Sequence, residues 1–158
     1  MYLNSTEELR DYLQFDDRHP EDPFWYGENQ VFQLVFLADE QGPSDYQLEM
    51  YMDFQQYHLS YIDRIRDRVV DAWEREKGSA PARISTDVPM VDVITINPAG
   101  GQADMDIVLS FRRFKFLFYS AWVTYVAKFK GRQLVFLQTA RQYEKEMKEQ
   151  LAAGESSV

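Results

Sequence analysis

The sequence predicts an α+β fold: a curved antiparallel sheet of about six strands packed against one long amphipathic helix, with short helices at the N- and C-terminal ends. Three observations carry that reading. Apolar residues recur at i, i+3 and i+4 from Leu59 to Trp73 with charged residues on the other side, the pattern of a helix with one buried face. Runs rich in β-branched and aromatic residues, bounded by Gly, Pro, Asn or Asp, stand two before that helix and four after it, so strands do not alternate with helices. The 10 Tyr, 11 Phe and 3 Trp give a chain that is 45% hydrophobic ample apolar area for a core, and 158 residues fit a single domain with a frayed tail over residues 152–158.

Ser5 stands three residues before Glu8, the spacing of a capping box, and Leu9, Tyr12 and Leu13 follow at helical intervals; a short helix runs from Thr6 to Leu13. The segment from Asp16 to Pro23 joins two prolines to four carboxylates, the composition of an exposed acidic loop. Gln30 to Ala38 reads as a strand, and Gln41-Gly42-Pro43-Ser44-Asp45 is the turn that ends it. Tyr46, Leu48, Met50, Met52 and Phe54 then alternate with Gln47, Glu49, Tyr51 and Asp53, which predicts the second strand of a hairpin.

Beyond Phe54 the period changes to that of the long helix, whose apolar stripe is Leu59, Ile62, Ile65, Val69, Val70 and Trp73. Lys77-Gly78 and Pro81 terminate it, and a loop reaches Pro89. Val91 to Ile96 is a strand closed by Asn97-Pro98-Ala99-Gly100-Gly101. Met105 to Phe118 is a long strand, Ala121 to Phe129 another, and Lys130-Gly131-Arg132 turns the chain into Gln133 to Leu137. In the long strand the apolar set passes from Ile107, Leu109 and Phe111 to Phe114, Phe116 and Phe118. A period of two needs one extra residue there, which places a bulge near Arg112-Arg113. Gln138 to Leu151 is a terminal helix, loosely docked through Tyr143, Met147 and Leu151.

Composition removes several function classes. A net charge of −9 opposes the phosphate neutralisation on which general nucleic-acid binding rests. The absence of Cys removes disulfides, thiolate zinc sites and cysteine nucleophiles, and it agrees with a cytoplasmic location. The longest mostly apolar run, Phe116 to Ala127, is about half the ~20 residues of a bilayer span, so no membrane partner is expected. His19 lies among Asp16, Asp17, Glu21 and Asp22 without metal-ligand spacing, and no cofactor or metal is expected. Asn97 to Gly101 reads as a hairpin turn and not a phosphate loop. Asp104 and Asp106 share a strand face as solubilising acids, and no nucleophile elbow is present, so no catalytic residue is nominated. Arg112, Arg113 and Lys115 interleave with Phe residues that read as core rather than as an RNA platform.

Charge is distributed unevenly. Residues 1–53 hold 13 acids and 2 bases, net −11, whereas residues 111–158 hold 4 acids and 9 bases, net +5. The candidate partner-binding residues are therefore Asp16, Asp17, Glu21 and Asp22 with the neighbouring Trp25 and Tyr26, because complementary charge speeds encounter and aromatic rings anchor interfaces. The alternative is internal: pairing of the basic last strands with the acidic first strands would balance the charge within the sheet.

With its acid-rich Asp16 to Asp22 loop, Phe24-Trp25-Tyr26 and the helix from Leu59 to Trp73, the chain resembles the immunity proteins that neutralise bacterial toxins by plugging a basic nuclease surface. The resemblance lies in overall pattern; no diagnostic motif matches and no site residue is carried over. It implies a non-enzymatic cytoplasmic binding protein with a basic protein partner such as a toxin. Two other classes stay open. One is a small-molecule or nucleotide-binding enzyme with its ligand on the concave side of the sheet near Tyr51, Tyr125 and Trp122. The other is a structural subunit that forms homo-oligomers through a sheet edge.

Overall fold

The computed structural model describes residues 2–28, 31–77, 89–116 and 119–155, without the side chains at 73, 74, 76, 77, 113–116, 119 and 120. The first helix, α1 (Thr6–Tyr12), forms where its cap predicts: the Glu8 N–H donates to Ser5 Oγ at 3.1 Å, and the Glu8 carboxylate accepts from the Asn4 N–H at 2.8 Å. Leu13 leaves the helix in extended conformation and leads into β1 (Gln14–Asp16), which pairs antiparallel with β2 (Phe24–Glu28). Next come β3 (Gln33–Leu37), a 33-residue helix α2 (Asp45–Lys77), and the strands β4 (Met90–Ile96), β5 (Met105–Phe116), β6 (Tyr119–Lys130) and β7 (Gln133–Thr139). Helix α3 (Ala140–Glu155) ends the described chain.

The seven strands lie in chain order, β1 to β7, in one sheet with β1 and β7 at its edges. The α+β class is as expected, but two details differ. The strand count is seven rather than six, and the sheet is mixed, because β3 and β4 run parallel. A strand that returns after a long helical crossover comes back pointing the same way as the strand it left, and α2 is that crossover.

The expected strand from Tyr46 to Phe54 is the first part of α2. Ser44 and Gln47 make a capping box, with the Gln47 N–H on Ser44 Oγ at 3.3 Å and the Ser44 N–H on Gln47 Oε1 at 3.0 Å. Once that helix starts, Leu48, Tyr51, Phe54 and Gln55 fall on its buried side. Strands β1 and β2 occupy sequence on either side of the acidic segment, so only residues 17–23 are loop. In the long hairpin Arg112 and Arg113 stay in register with Trp122 and Ala121; the irregularity lies between Phe114 and Phe116, a little beyond the expected bulge. Helix α3 continues through Ala152 to Glu155, where a frayed tail was expected. The expected stop at Gly78 and Pro81, and the burial of Trp73, lie outside what is described.

The core lies between one sheet face and the two N-terminal helices. Leu34, Phe36, Ile94, Ile96, Met105, Ile107, Leu109 and Phe129 face Leu9 of α1 and Leu48, Tyr61, Ile65 and Val69 of α2. Alternation sends the intervening residues to the other face, which α3 covers only at the β6–β7 side, where Phe136 meets Tyr143 edge-on at 5.9 Å.

Helix α2 is kinked. Tyr57 has φ −119° and ψ 24°, outside helical values, and the buried face jumps from Phe54 and Gln55 to Tyr61 and Ile62. Leu59, expected in the buried stripe, lies in that gap and is 67% exposed. Ile62, Ile65 and Val69 are buried as expected.

Candidate functional site

The acidic segment divides by strand parity and hydrogen bonding. Asp16 is the last residue of β1 and is buried. Its carboxylate accepts from the Arg18 N–H and Nε–H, both at 3.0 Å, and pairs with Arg18 Nη2; these bonds hold its carboxyl at about 2. Asp16 is thus a neutralised anchor of the loop and not an exposed charge. Asp17, Glu21 and Asp22 are exposed, and the turn that carries the last two is closed by the Asp22 N–H on the His19 carbonyl at 3.0 Å. His19 Nδ1 stands 3.7 Å from a Glu21 carboxylate oxygen, both side chains in solvent.

Trp25 and Tyr26 are neighbours on β2 and therefore face opposite ways. Trp25 packs on the core side, 5.3 Å from Phe15 ring to ring, and its indole N–H donates to the Asp39 carbonyl at 2.8 Å. Tyr26 lies on the far face, its hydroxyl 3.0 Å from Gln14 Oε1. The pairing of Phe24 with both Asp16 and Leu37 puts the β1–β2 loop and the β3–α2 loop at one end of the sheet, and Trp25 ties β2 to the second of these loops through Asp39. The structure therefore brings together Asp17, Glu21, Asp22 and Trp25 with Asp39 and Glu40, which the sequence reading did not select. Asp16 and Tyr26 belong to the other face. The signal for Asp39 and Glu40 was present in the strand end at Leu37 followed by Gly42-Pro43, but only a sheet pairing reveals which other loop lies beside it.

Most other carboxylates near cations are already matched. Lys130 reaches Asp104 at 2.8 Å, Lys128 reaches Asp106 at 3.2 Å, Arg10 reaches Asp45 at 2.8 Å, and Arg132 pairs with Asp53. Part of the charge asymmetry is balanced in this way within the fold. Among the described residues no Lys or Arg makes an ion pair with Asp17, Glu21, Asp22, Asp39 or Glu40.

The residues considered for an enzyme do not converge. Tyr51 is buried in α2, where loss of water pushes its phenol up to about 12; Tyr125 packs against Phe111 in the core; Trp122 is half-exposed on the opposite sheet face. Asp104 is buried, which raises its carboxyl, but Lys130, the Gly131 N–H at 2.7 Å and Tyr46 outweigh this and hold it below its ordinary value. A cavity of about 830 Å³ opens beside the Asn97–Ala103 turn, and the ion pair of Asp106 and Lys128 lines it, with Lys128 Nζ 5.2 Å from the Tyr143 ring centre. No group of three or more His, Cys, Asp or Glu able to hold a metal occurs among the described residues. Nor is any described helix long and apolar enough to cross a membrane. No family model, no curated protein and no solved structure matches the chain.

Proposed function

We propose that this is a non-enzymatic, cytoplasmic binding protein that receives a basic protein partner on the acidic end of its sheet, its most concrete form being an immunity protein that neutralises a basic toxin. The observation that carries the reading is the set of five exposed carboxylates, Asp17, Glu21, Asp22, Asp39 and Glu40, on two loops at one end of the sheet and without a Lys or Arg partner among the described residues. Exposed charges of one sign steer an oppositely charged partner, while the half-buried indole offers the apolar contact that charge alone does not supply. The test is association kinetics with the basic partner captured from the native host, at two salt concentrations, for wild type and for a variant with these five carboxylates reversed to Lys. The expected result is an on-rate that falls steeply with salt and collapses in the variant, because a Debye length of about 10 Å at 0.1 M screens steering. An acidic partner, or equal on-rates for the two proteins, overturns the proposal.

A second reading has its own observation. Val135 on edge strand β7 and Met147 and Leu151 on α3 are 48%, 42% and 65% exposed, which favours self-association at that side of the sheet. Sedimentation of wild type against Val135→Lys separates this from a partner bound at the acidic end.

A further inference from the structure

The β5–β6 hairpin outruns the sheet that holds its base. Strand β4 pairs with β5 only as far as Ser110, and β7 pairs with β6 only from Tyr125, so among the described residues Phe111–Phe116 and Tyr119–Thr124 ladder with each other alone. Phe111, buried against Tyr125, roots this arm in the core. A two-stranded ribbon is marginally stable in water by itself, and cover on a face is what it lacks. Register fixes where the arm points. Strand β5 starts at Met105, level with Ile96 and Phe36, and passes Met90, so the arm leaves the sheet at the end opposite the β1–β2 and β3–α2 loops.

The two ends carry complementary chemistry. No Asp or Glu occurs between Asp106 and Glu144, and three of the bases in that stretch, Arg112, Arg113 and Lys115, belong to the arm. The cations Lys128, Lys130 and Arg132, towards the other end, are matched by Asp106, Asp104 and Asp53. Trp122 stands opposite Arg112 on the ladder, on the sheet face turned from the core, and is 52% exposed. At the other end stand the five exposed carboxylates, and Leu37, on the same sheet face as Trp122, is 39% exposed. Seven residues of extended strand at about 3.3 Å each, roughly 23 Å, separate Met105 from Arg112, so the two ends cannot meet within one copy.

We infer that the arm of one copy docks on the acidic end of a second copy, its three cations against the five carboxylates and Trp122 on Leu37. Opposite charge orients the encounter, and the indole supplies the desolvated anchor that charge alone does not. Because the two surfaces lie at opposite ends of the sheet the contact is head-to-tail, and each copy added keeps an arm and an acidic end for the next. It rests on the reading of the acidic end as a docking surface, for which the arm and a basic partner compete. A single-stranded nucleic acid is the other polyanion that cations beside an aromatic ring attract, but a net charge of −9 opposes its approach.

The test is sedimentation velocity of the full chain over a concentration series, with folding checked by circular dichroism. Wild type should associate, and at least about tenfold more weakly in 1 M salt than in 0.1 M, as the Debye length shrinks from about 10 Å to about 3 Å. The arm variant Arg112→Glu, Arg113→Glu, Lys115→Glu and the variant with the five carboxylates changed to Lys should each stay monomeric, whereas their equimolar mixture should associate, because each arm then meets an end of opposite charge. Trp122→Ala, at a half-exposed position that leaves the fold intact, should weaken wild-type association by about tenfold or more. A monomeric wild type, reversed variants that associate as wild type does, or a mixture that stays monomeric overturns the inference. So does a labelled oligothymidylate that binds the wild type and is lost on reversing the arm while no self-association is seen. The arm variant keeps its acidic end and should still capture a basic partner from the native host, so failure of the head-to-tail contact is distinguishable from failure of the partner reading.

Discussion

Arg132, in the β6–β7 turn, grips the Asp53 carboxylate of α2 with both Nε and Nη2 across 79 residues of chain. Tyr61 donates to the same carboxylate at 2.7 Å, and the guanidinium lies 4.0 Å from the centre of the Tyr57 ring. Arg64 in turn donates to the Arg132 carbonyl. One turn of the sheet therefore holds the helix on both sides of its kink, and cation–π contact with Tyr57 fixes the residue that departs from helical geometry.

This arrangement predicts a pH-dependent contribution to stability. Arg132 first, and Tyr61 after it, hold the Asp53 carboxyl below its ordinary value of 3.8, against burial, which raises it. A carboxyl depressed in the folded state stabilises the fold above its ordinary value, and the contribution is lost as pH falls through the lower folded one. Asp53→Asn should therefore unfold at lower urea than wild type at pH 7, with the difference shrinking below pH 3.8. A gap that stays constant into acid would show that the charge of Asp53 contributes nothing.

The kink also separates two residues that periodicity treats alike. Ile65 is fully buried and Leu59 is 67% exposed, so Ile65→Ala should cost about 2–5 kcal/mol and Leu59→Ala less than about 0.5 kcal/mol by urea unfolding. Equal losses would mean that α2 runs straight past Tyr57 in solution.

Much of the fold was legible because period and turn chemistry agree in β4, β5, β6 and β7 and in the second half of α2. The first half of α2 was misread because Tyr46, Leu48, Met50, Met52 and Phe54 alternate as a strand does, while Leu48, Tyr51, Phe54 and Gln55 fit a helix as well. The cap of Ser44 with Gln47 was the signal that separates the two. The short strand β1 was illegible for another reason: three residues show no period, and Asp16 looks like its loop neighbours until Arg18 and the pairing with Phe24 place it.

Gly27 tests how α1 is seated on the sheet. A Cβ at this position would fall on the Tyr12 ring, whose hydroxyl donates to the Glu28 carbonyl. The glycine is needed here for close approach and not for its backbone angles. Gly27→Ala should push Tyr12 aside and destabilise the protein by about 1–3 kcal/mol, as overpacking does, with the largest amide shifts in α1 and β2. A neutral substitution would show that the Tyr12 ring moves freely.

Asp16 and Asp17 are adjacent acids with opposite tasks, a distinction that composition cannot make because both count equally toward the net −11 of the first 53 residues. Asp16 is buried on Arg18 with its carboxyl at about 2; Asp17 is exposed, as are Glu21 and Asp22. For Asp16 the stabilising contribution is complete above the ordinary value of 3.8 and is lost as pH falls from there to about 2. Asp16→Asn should lower the urea midpoint at pH 7, and carboxyl carbon NMR should show Asp16 taking up its proton only as pH falls toward about 2. The triple variant Asp17→Asn, Glu21→Gln, Asp22→Asn should change stability by less than about 0.5 kcal/mol, since exposed loop charges contribute little to folding, yet it should slow association with a basic partner. If instead the triple variant unfolds the protein while Asp16→Asn leaves stability unchanged, the loop is held by its exposed charges and Asp16 is not its anchor.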